Sequence, residues 1–403
     1  MELEDIHGDA VETSRAVWLR IKRNDPILVG LKVSFARDRP LFGPIITDAK
    51  IGELGRAIGK HTHLVHLVLN AKVSSTNFDD VRRIFQLLCE GLNQNQSIKK
   101  ISLSGDNNFC GEMCQFLNPF FQNNSNVHFI LLNGGLNLEG TRWLVAPLMA
   151  RRSCLKTLVL QDNGIDDILV EQFVTAMLVG NSGLAPKEMF LCNNNIGQYG
   201  CNLIARLLED PNCMMEVLTL VGNRNVNNNA AIRFANALTK NKTLKRLFLN
   251  GTSINKTGWN SFSSTLCNKT SVNETYSSNH TVQSLGWFDP GNNPLPSDLK
   301  QYLELNHEDT ETAALRKVLM HHFTREFSMD PFKKMKLPLL VNILKLIDRV
   351  IVENKEERYV IPRFTIIFEL VLNHASFCRK ENIIPAEGGS LVSGIYIPTW
   401  TKR

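Results

Sequence analysis

Few residues in this chain have types and spacings that suggest chemistry. His61-Thr62-His63-Leu64-Val65-His66 is the only histidine cluster with ligand-like spacing. A zinc site needs three or four converging nitrogen, sulfur or oxygen donors. No cysteine or paired carboxylate lies beside these histidines in the sequence, so they read as surface imidazoles at a loop-to-strand junction. His321 and His322 are neighbours on a predicted helix, where adjacent residues do not share a face. The chain has no glycine-rich phosphate loop, no G-x-S-x-G elbow and no H-E-x-x-H. The asparagine runs Asn193–Asn195 and Asn227–Asn229 belong to turns and a helix start. The sequence therefore assigns no catalytic residue, no metal and no cofactor, and the chain reads as a binding protein, not an enzyme.

The elements that carry these residues recur. Leu155, Leu158, Leu160, Asn163 and Ile165 fit L-x-x-L-x-L-x-x-N-x-L at every fixed position, and Pro186, Met189, Leu191, Asn194 and Ile196 fit all but the first. Looser units begin at Leu28, Leu64, Ile98, Val127, Met215 and Leu244, and Val282/Leu285/Trp287 closes the series. The steps between unit starts are 36, 34, 29, 28, 31, 29, 29 and 38 residues. That length holds a short strand, a turn, a helix and a return loop. Apolar residues at helical spacing follow the strands, as in Ile168/Phe173/Ala176/Met177 and Leu203/Ile204/Leu207/Leu208. Each asparagine of the motif can bond backbone groups in a turn that has no ladder of its own.

These motifs resemble the leucine-rich repeat, and the period resembles its ribonuclease-inhibitor-like subtype. The resemblance covers about residues 20 to 295 and is strongest over 155–254. Several outer units depart from it, with Lys72, Asp106, Gly135, Thr252 and Pro290 at the asparagine position. It implies an α/β solenoid, a horseshoe with parallel strands on the concave side and helices on the convex side. Physically, stacked strands sit about 4.8 Å apart and helices about 10 Å, so such a stack must curve. The predicted organisation is an N-terminal capping helix within residues 1–25, about eight to nine repeats over 26–295, an α-helical cap or domain over 296–378 and an extended tail over 379–403. Within the C-terminal region the pattern predicts helices over 297–305, 311–325, 337–352 and 363–374. The segments 37–48 and 268–280 read as mobile surface loops.

Strand residues between the core positions point the other way. One such residue per unit gives Lys32, Val68, Ser102, Leu131, Val159, Phe190, Thr219, Phe248 and Gly286, of which five are large and apolar. Phe129 and Val217 lie on the same face. A solvated face would be polar there, so an exposed apolar stripe is expected, and such stripes mark interaction sites. A basic row accompanies it: Lys99, Lys156, Lys187 and Lys245, with Lys100 and Arg246 beside them. The expected partner-binding set is Val68, Phe129, Leu131, Lys156, Val159, Lys187, Phe190, Val217, Lys245, Arg246 and Phe248.

Composition limits the partner. The charge of +6 on 403 residues is a modest excess, shared evenly along the chain. It lacks the concentrated basic footprint of a nucleic-acid binder, so the expected partner is a protein. No run approaches 18 apolar residues, which argues against a membrane span. The acidic start Met1-Glu2-Leu3-Glu4-Asp5 does not resemble a secretory signal. Nine cysteines, with no C-x-x-C, read as reduced and mostly buried thiols of a cytoplasmic or nuclear protein. Eight N-x-S/T sequons stand against that, where composition gives about four to five by chance.

Two enzyme-linked readings follow from the resemblance alone. GTPase-activating proteins of the Ran type have a similar fold, which implies a charge-stabilising role for Arg37 and Arg39 in the loop after the first strand; the acidic tail of that family is missing. Nucleotide-driven immune sensors often end in this repeat, but no phosphate-binding loop precedes it here.

Overall fold

A computed structural model describes residues 2–8, 13–35, 47–71, 78–105, 109–150, 155–179, 185–286 and 295–322, with Leu339 and Asn342. Arg37, Arg39, Trp287, the helix expected over 363–374 and the 379–403 tail lie outside them. Of the helix expected over 337–352, only Leu339 and Asn342 are described, both helical.

Strand and helix alternate. The order is β1 Glu2–Asp5, α1 Ser14–Lys22, β2 Gly30–Ser34, α2 Asp48–Lys60, β3 His66–Ala71, α3 Phe78–Leu92, β4 Lys100–Gly105, α4 Phe109–Asn123, β5 Phe129–Asn133, α5 Leu138–Ala150 and β6 Thr157–Val159. There follow α6 Asp167–Val179, β7 Glu188–Phe190, α7 Gln198–Glu209, β8 Val217–Thr219, α8 Asn228–Lys240, β9 Arg246–Phe248, α9 Lys256–Leu266, α10 Val272–Ser277, α11 Ser297–Leu305 and α12 Thr310–His322. The nine strands of the described residues form one sheet in sequence order. From β2 onward every pair is parallel, as strand–helix–strand connections require.

The chain divides into two compact units. One comprises Met1–Asn268 and Ser278–Thr310, the other Lys269–Ser277 and Glu311–Arg403. The sequence pattern changes at residue 296, yet α11 falls in the first unit. In the second unit, the Thr275 hydroxyl and His322 Nε2 share a 2.8 Å hydrogen bond.

The core of the first unit follows the repeat spacing. Leu31, Leu67, Ile101, Ile130, Leu158, Met189, Leu218 and Leu247 pair across the sheet and are all buried. Neighbouring helices pack in order. Helices α2 and α3 approach closely, so that a Cβ at Gly91 would run into the backbone of Gly55 and Arg56.

Two columns of asparagine close the turns. On the strand-to-helix side, Asn163, Asn194 and Asn223 each donate to one carbonyl of the preceding unit, Leu132, Leu160 and Leu191, at 2.8 Å. The residue before each must turn left-handed: Asp162, Asn193 and Gly222 have φ of 56°, 53° and 78°. Asparagine, aspartate and glycine tolerate that region best. On the helix-to-strand side the sequence motif names no asparagine, but a second column exists. Asn95, Asn124, Asn241, Asn279 and Asn306 are buried there. Asn95 and Asn279 each donate to two carbonyls of the previous unit at 2.8–2.9 Å and accept from two N–H groups of their own turn at 2.9–3.0 Å.

Three expectations need correction. Residues 1–25 hold more than a capping helix: β1 pairs antiparallel with β2 and covers the first edge of the sheet. Edge coverage by a short strand follows from the cost of an unpaired ladder, but four residues ahead of a helix leave little periodic signal. The segment 268–280 is not a plain loop, because it contains α10 and the fully buried Asn279. The histidines are not all at the surface. His61 is 2% exposed and takes the place of a column asparagine, its Nδ1 accepting from the N–H groups of His63 and Leu64.

Candidate interaction surface

Three rows of residues cross the first unit on the side away from the buried alternation. The first row precedes the strands: Lys99, His128, Lys156, Lys187, Glu216 and Lys245, successive members joined by backbone hydrogen bonds except that the Lys156 carbonyl accepts from Glu188, the residue after Lys187. The second opens the strands and runs Lys100, Phe129, Thr157, Glu188, Val217, Arg246. The third runs Lys32, Val68, Ser102, Leu131, Val159, Phe190, Thr219, Phe248. Gly286, the ninth position of the outward series, lies beyond β9, where only Ser284 forms an isolated bridge to Arg246.

The apolar members are less open than expected. Val68, Phe129, Leu131, Val159, Phe190 and Phe248 are half-buried. Val217 is buried at 3%, which removes it from the accessible set, and Thr219 is buried at 5% with its hydroxyl unpartnered. Their side chains are short. Each sits between longer neighbours about 4.8 Å away on the same face: Glu188 and Arg246 beside Val217, Phe190 and Phe248 beside Thr219. The most exposed large apolar residues lie elsewhere, Ile27 at 76% and Ile168 at 60%.

The basic row is broken by an acid that its sequence pattern does not include. Glu216 Oε1 accepts from Lys187 Nζ at 3.1 Å, and its Oε2 from Lys245 Nζ at 2.9 Å. These two hydrogen bonds hold the Glu216 carboxyl below the usual carboxylate range. Lys156 and Arg246 are exposed. Glu188 accepts from the Thr157 hydroxyl at 2.9 Å. The signal for Glu216 lies in the sequence, since it stands one residue after the core Met215, as Lys156 and Lys245 stand after Leu155 and Leu244.

At the other end of the rows the groups are imidazoles and lysines. His66 Nε2 lies 3.3 Å from the Ser102 hydroxyl, and His7 and His66 rings are 5.9 Å apart. Burial, then His7 and Lys100, push His66 below the ordinary histidine value. His128 donates from Nδ1 to the Lys99 carbonyl at 2.9 Å. Burial, then Lys156, Lys100 and Lys99, lower its pKa. No third donor converges on any histidine pair: among the described residues no His, Cys, Asp or Glu cluster could hold a metal. The described cysteines are free thiols, six of them buried, and burial pushes Cys201 up to about 12.

The fold defines a class: an α/β protein of alternating strand and helix in one mostly parallel sheet. No known family model matches the chain. Among the described residues no helix is long and apolar enough to cross a membrane.

Proposed function

We propose that the chain is a leucine-rich-repeat protein of the ribonuclease-inhibitor-like subtype that binds a protein partner on the outward, concave face of its sheet. The supporting observation is the third row, where Val68, Leu131, Val159, Phe190 and Phe248 lie in register, with Ser102 on β4 and Thr219 on β8 between them, and keep part of their surface open. Aromatic and aliphatic side chains in partly desolvated settings are the usual anchors of interfaces. Phe129 extends the stripe, and Lys156, Lys187, Lys245 and Arg246 form its rim. The role is scaffolding, not catalysis, in the cytoplasm or nucleus. The test compares proteins captured by the wild type with those captured by Val159→Ser/Phe190→Ser/Phe248→Ser, after circular dichroism shows both folded. A protein lost only from the variant supports the reading; identical sets overturn it.

A further inference from the structure

The charge on this face is divided unequally between its two halves. Over β7–β9 each charged row carries its own acid. Glu216 lies between Lys187 and Lys245, and Glu188 is two strands from Arg246 in the second row. Over β4–β6 the same rows carry none. Lys99 and Lys156 flank His128 in the first row, and Lys100 heads the second beside Phe129 and Thr157. All three lysines are exposed, and none forms an ion pair with a described residue.

The polarity of this half is graded. Moving along the strands, the cationic first row gives way to Lys100, Phe129 and Thr157, then to Ser102, Leu131 and Val159. A ligand that satisfied it would carry negative charge at one side and an apolar group at the other. His128 lies between Lys99 and Lys156 in the first row, and burial, followed by Lys156, Lys100 and Lys99, lowers its basicity. Unpaired like charges in register repel one another, and an anionic partner relieves that repulsion.

We propose that the entry edge of β4–β6 docks an acidic peptide segment bearing an apolar side chain, with its carboxylates against Lys99, Lys100 and Lys156 and its apolar group against Phe129, Leu131 and Val159. This rests on reading the outward face as a binding surface, and it names the chemistry of the partner there. A peptide fits the patch better than a nucleic acid, because the third row offers no cation to follow a phosphate backbone over β4–β6, only Ser102, Leu131 and Val159.

The test titrates the full chain against a fluorescein-labelled, glutamate-rich peptide of about twelve residues containing two leucines, and against oligothymidylate of similar charge. Charge reversal in Lys99→Glu/Lys100→Glu/Lys156→Glu should weaken peptide binding at least about tenfold. Lys60→Ala/Lys256→Ala, two exposed lysines on helices α2 and α9 outside these rows, should change it less than about twofold. Wild-type affinity should fall between about 50 and 200 mM salt. If the triple variant melts early, Lys99→Ala/Lys156→Ala takes its place, with a loss of at least about threefold expected. No binding by wild type, equal losses in both variants, or oligothymidylate binding more tightly than the peptide would each overturn the proposal. None of these outcomes decides the wider reading, which is tested separately by the Val159/Phe190/Phe248 variant and its native partners.

Discussion

The Asn95 side chain donates to the backbone carbonyl of His61 at 2.9 Å, and in consecutive units the two residues accept the same pair of turn N–H bonds. Asn95 Oδ1 accepts from the N–H groups of Ser97 and Ile98. His61 Nδ1 accepts from those of His63 and Leu64. The histidine completes the turn only while Nδ1 is unprotonated, and its buried Nε2 has no partner.

This ties stability to pH. Burial, then the nearby His63, lowers the His61 pKa. A histidine lowered on folding stabilises the protein above its unfolded value near 6.5, and that contribution is lost as the pH falls below it. His66, His128 and His322 are lowered by burial and act with the same sign. Urea midpoints should therefore fall between pH 7 and pH 5. In His61→Asn that fall should be shallower, with stability at pH 8 within about 1 kcal/mol of wild type. An unchanged slope would show that His61 takes up its proton at the same pH in the folded chain as in the unfolded one.

Removing a column asparagine should cost more. Asn241→Ala takes the donor from the Leu208 carbonyl and the acceptor from the N–H groups of Thr243 and Leu244. Each buried group left unpaired costs about 1–3 kcal/mol, so a loss of at least about 2 kcal/mol is expected by chemical denaturation. Asn241→Asp keeps the acceptor and should lose less than the alanine variant.

The repeat spacing is legible in the sequence where apolar residues alternate over a fixed period: Leu158, Leu218 and Leu247 occupy the paired, buried positions it assigns. The first asparagine column is legible too, because Asn163 and Asn194 complete the motif. The second column is present as sequence but obscured as signal. Asn95, Asn241 and Asn279 appear as N-x-S/T, which suggests glycosylation, and only packing reveals the Asn95 amide bonded to Ile58 and His61. Exposure on the outward face is not legible from alternation. Val217 faces outward by register and is buried by its longer neighbours, which depends on side chains from two other units.

Helix packing makes a local prediction. A methyl group added at Gly91 meets the backbone of α2, which has no side-chain rotamer to yield. Gly91→Ala should destabilise the chain by about 1–3 kcal/mol, visible as a lower melting temperature. Gly164→Ala provides a contrast, since a Cβ there meets nothing within 4 Å and only the left-handed φ of 65° opposes it; its cost should be about 1 kcal/mol.

Glu216→Gln separates charge from stability on the surface row. Its pairs with Lys187 and Lys245 are largely exposed, so the loss should stay below about 1 kcal/mol. On the proposed reading of the face, freeing those lysines gives the acidic peptide a second place to dock. Titration should then show stoichiometry rising towards two or affinity increasing, and no change in either would count against charge as the determinant.

Peptide docking should also respond to pH. Carboxylates placed beside His128 favour its charged form, offsetting Lys99, Lys100 and Lys156, so binding takes up a proton. Affinity for the acidic peptide should rise as the pH is lowered from 8 towards 6, and His128→Gln should flatten that dependence. The reverse trend would place the peptide away from His128.

The second asparagine column sets folding and N-glycosylation against each other at the same atoms. A sugar joined to Nδ2 of Asn95, Asn241 or Asn279 would remove an N–H that meets a carbonyl of the neighbouring unit, and would put a bulky group where almost no surface is open. Glycosyl transfer acts on an emerging chain before such turns are sealed. Passage through a compartment that performs it would set modification and folding in competition for the same three nitrogens. A copy glycosylated at any of the three would lose the bonds that join its units, so in the folded chain these sequons act as turn braces.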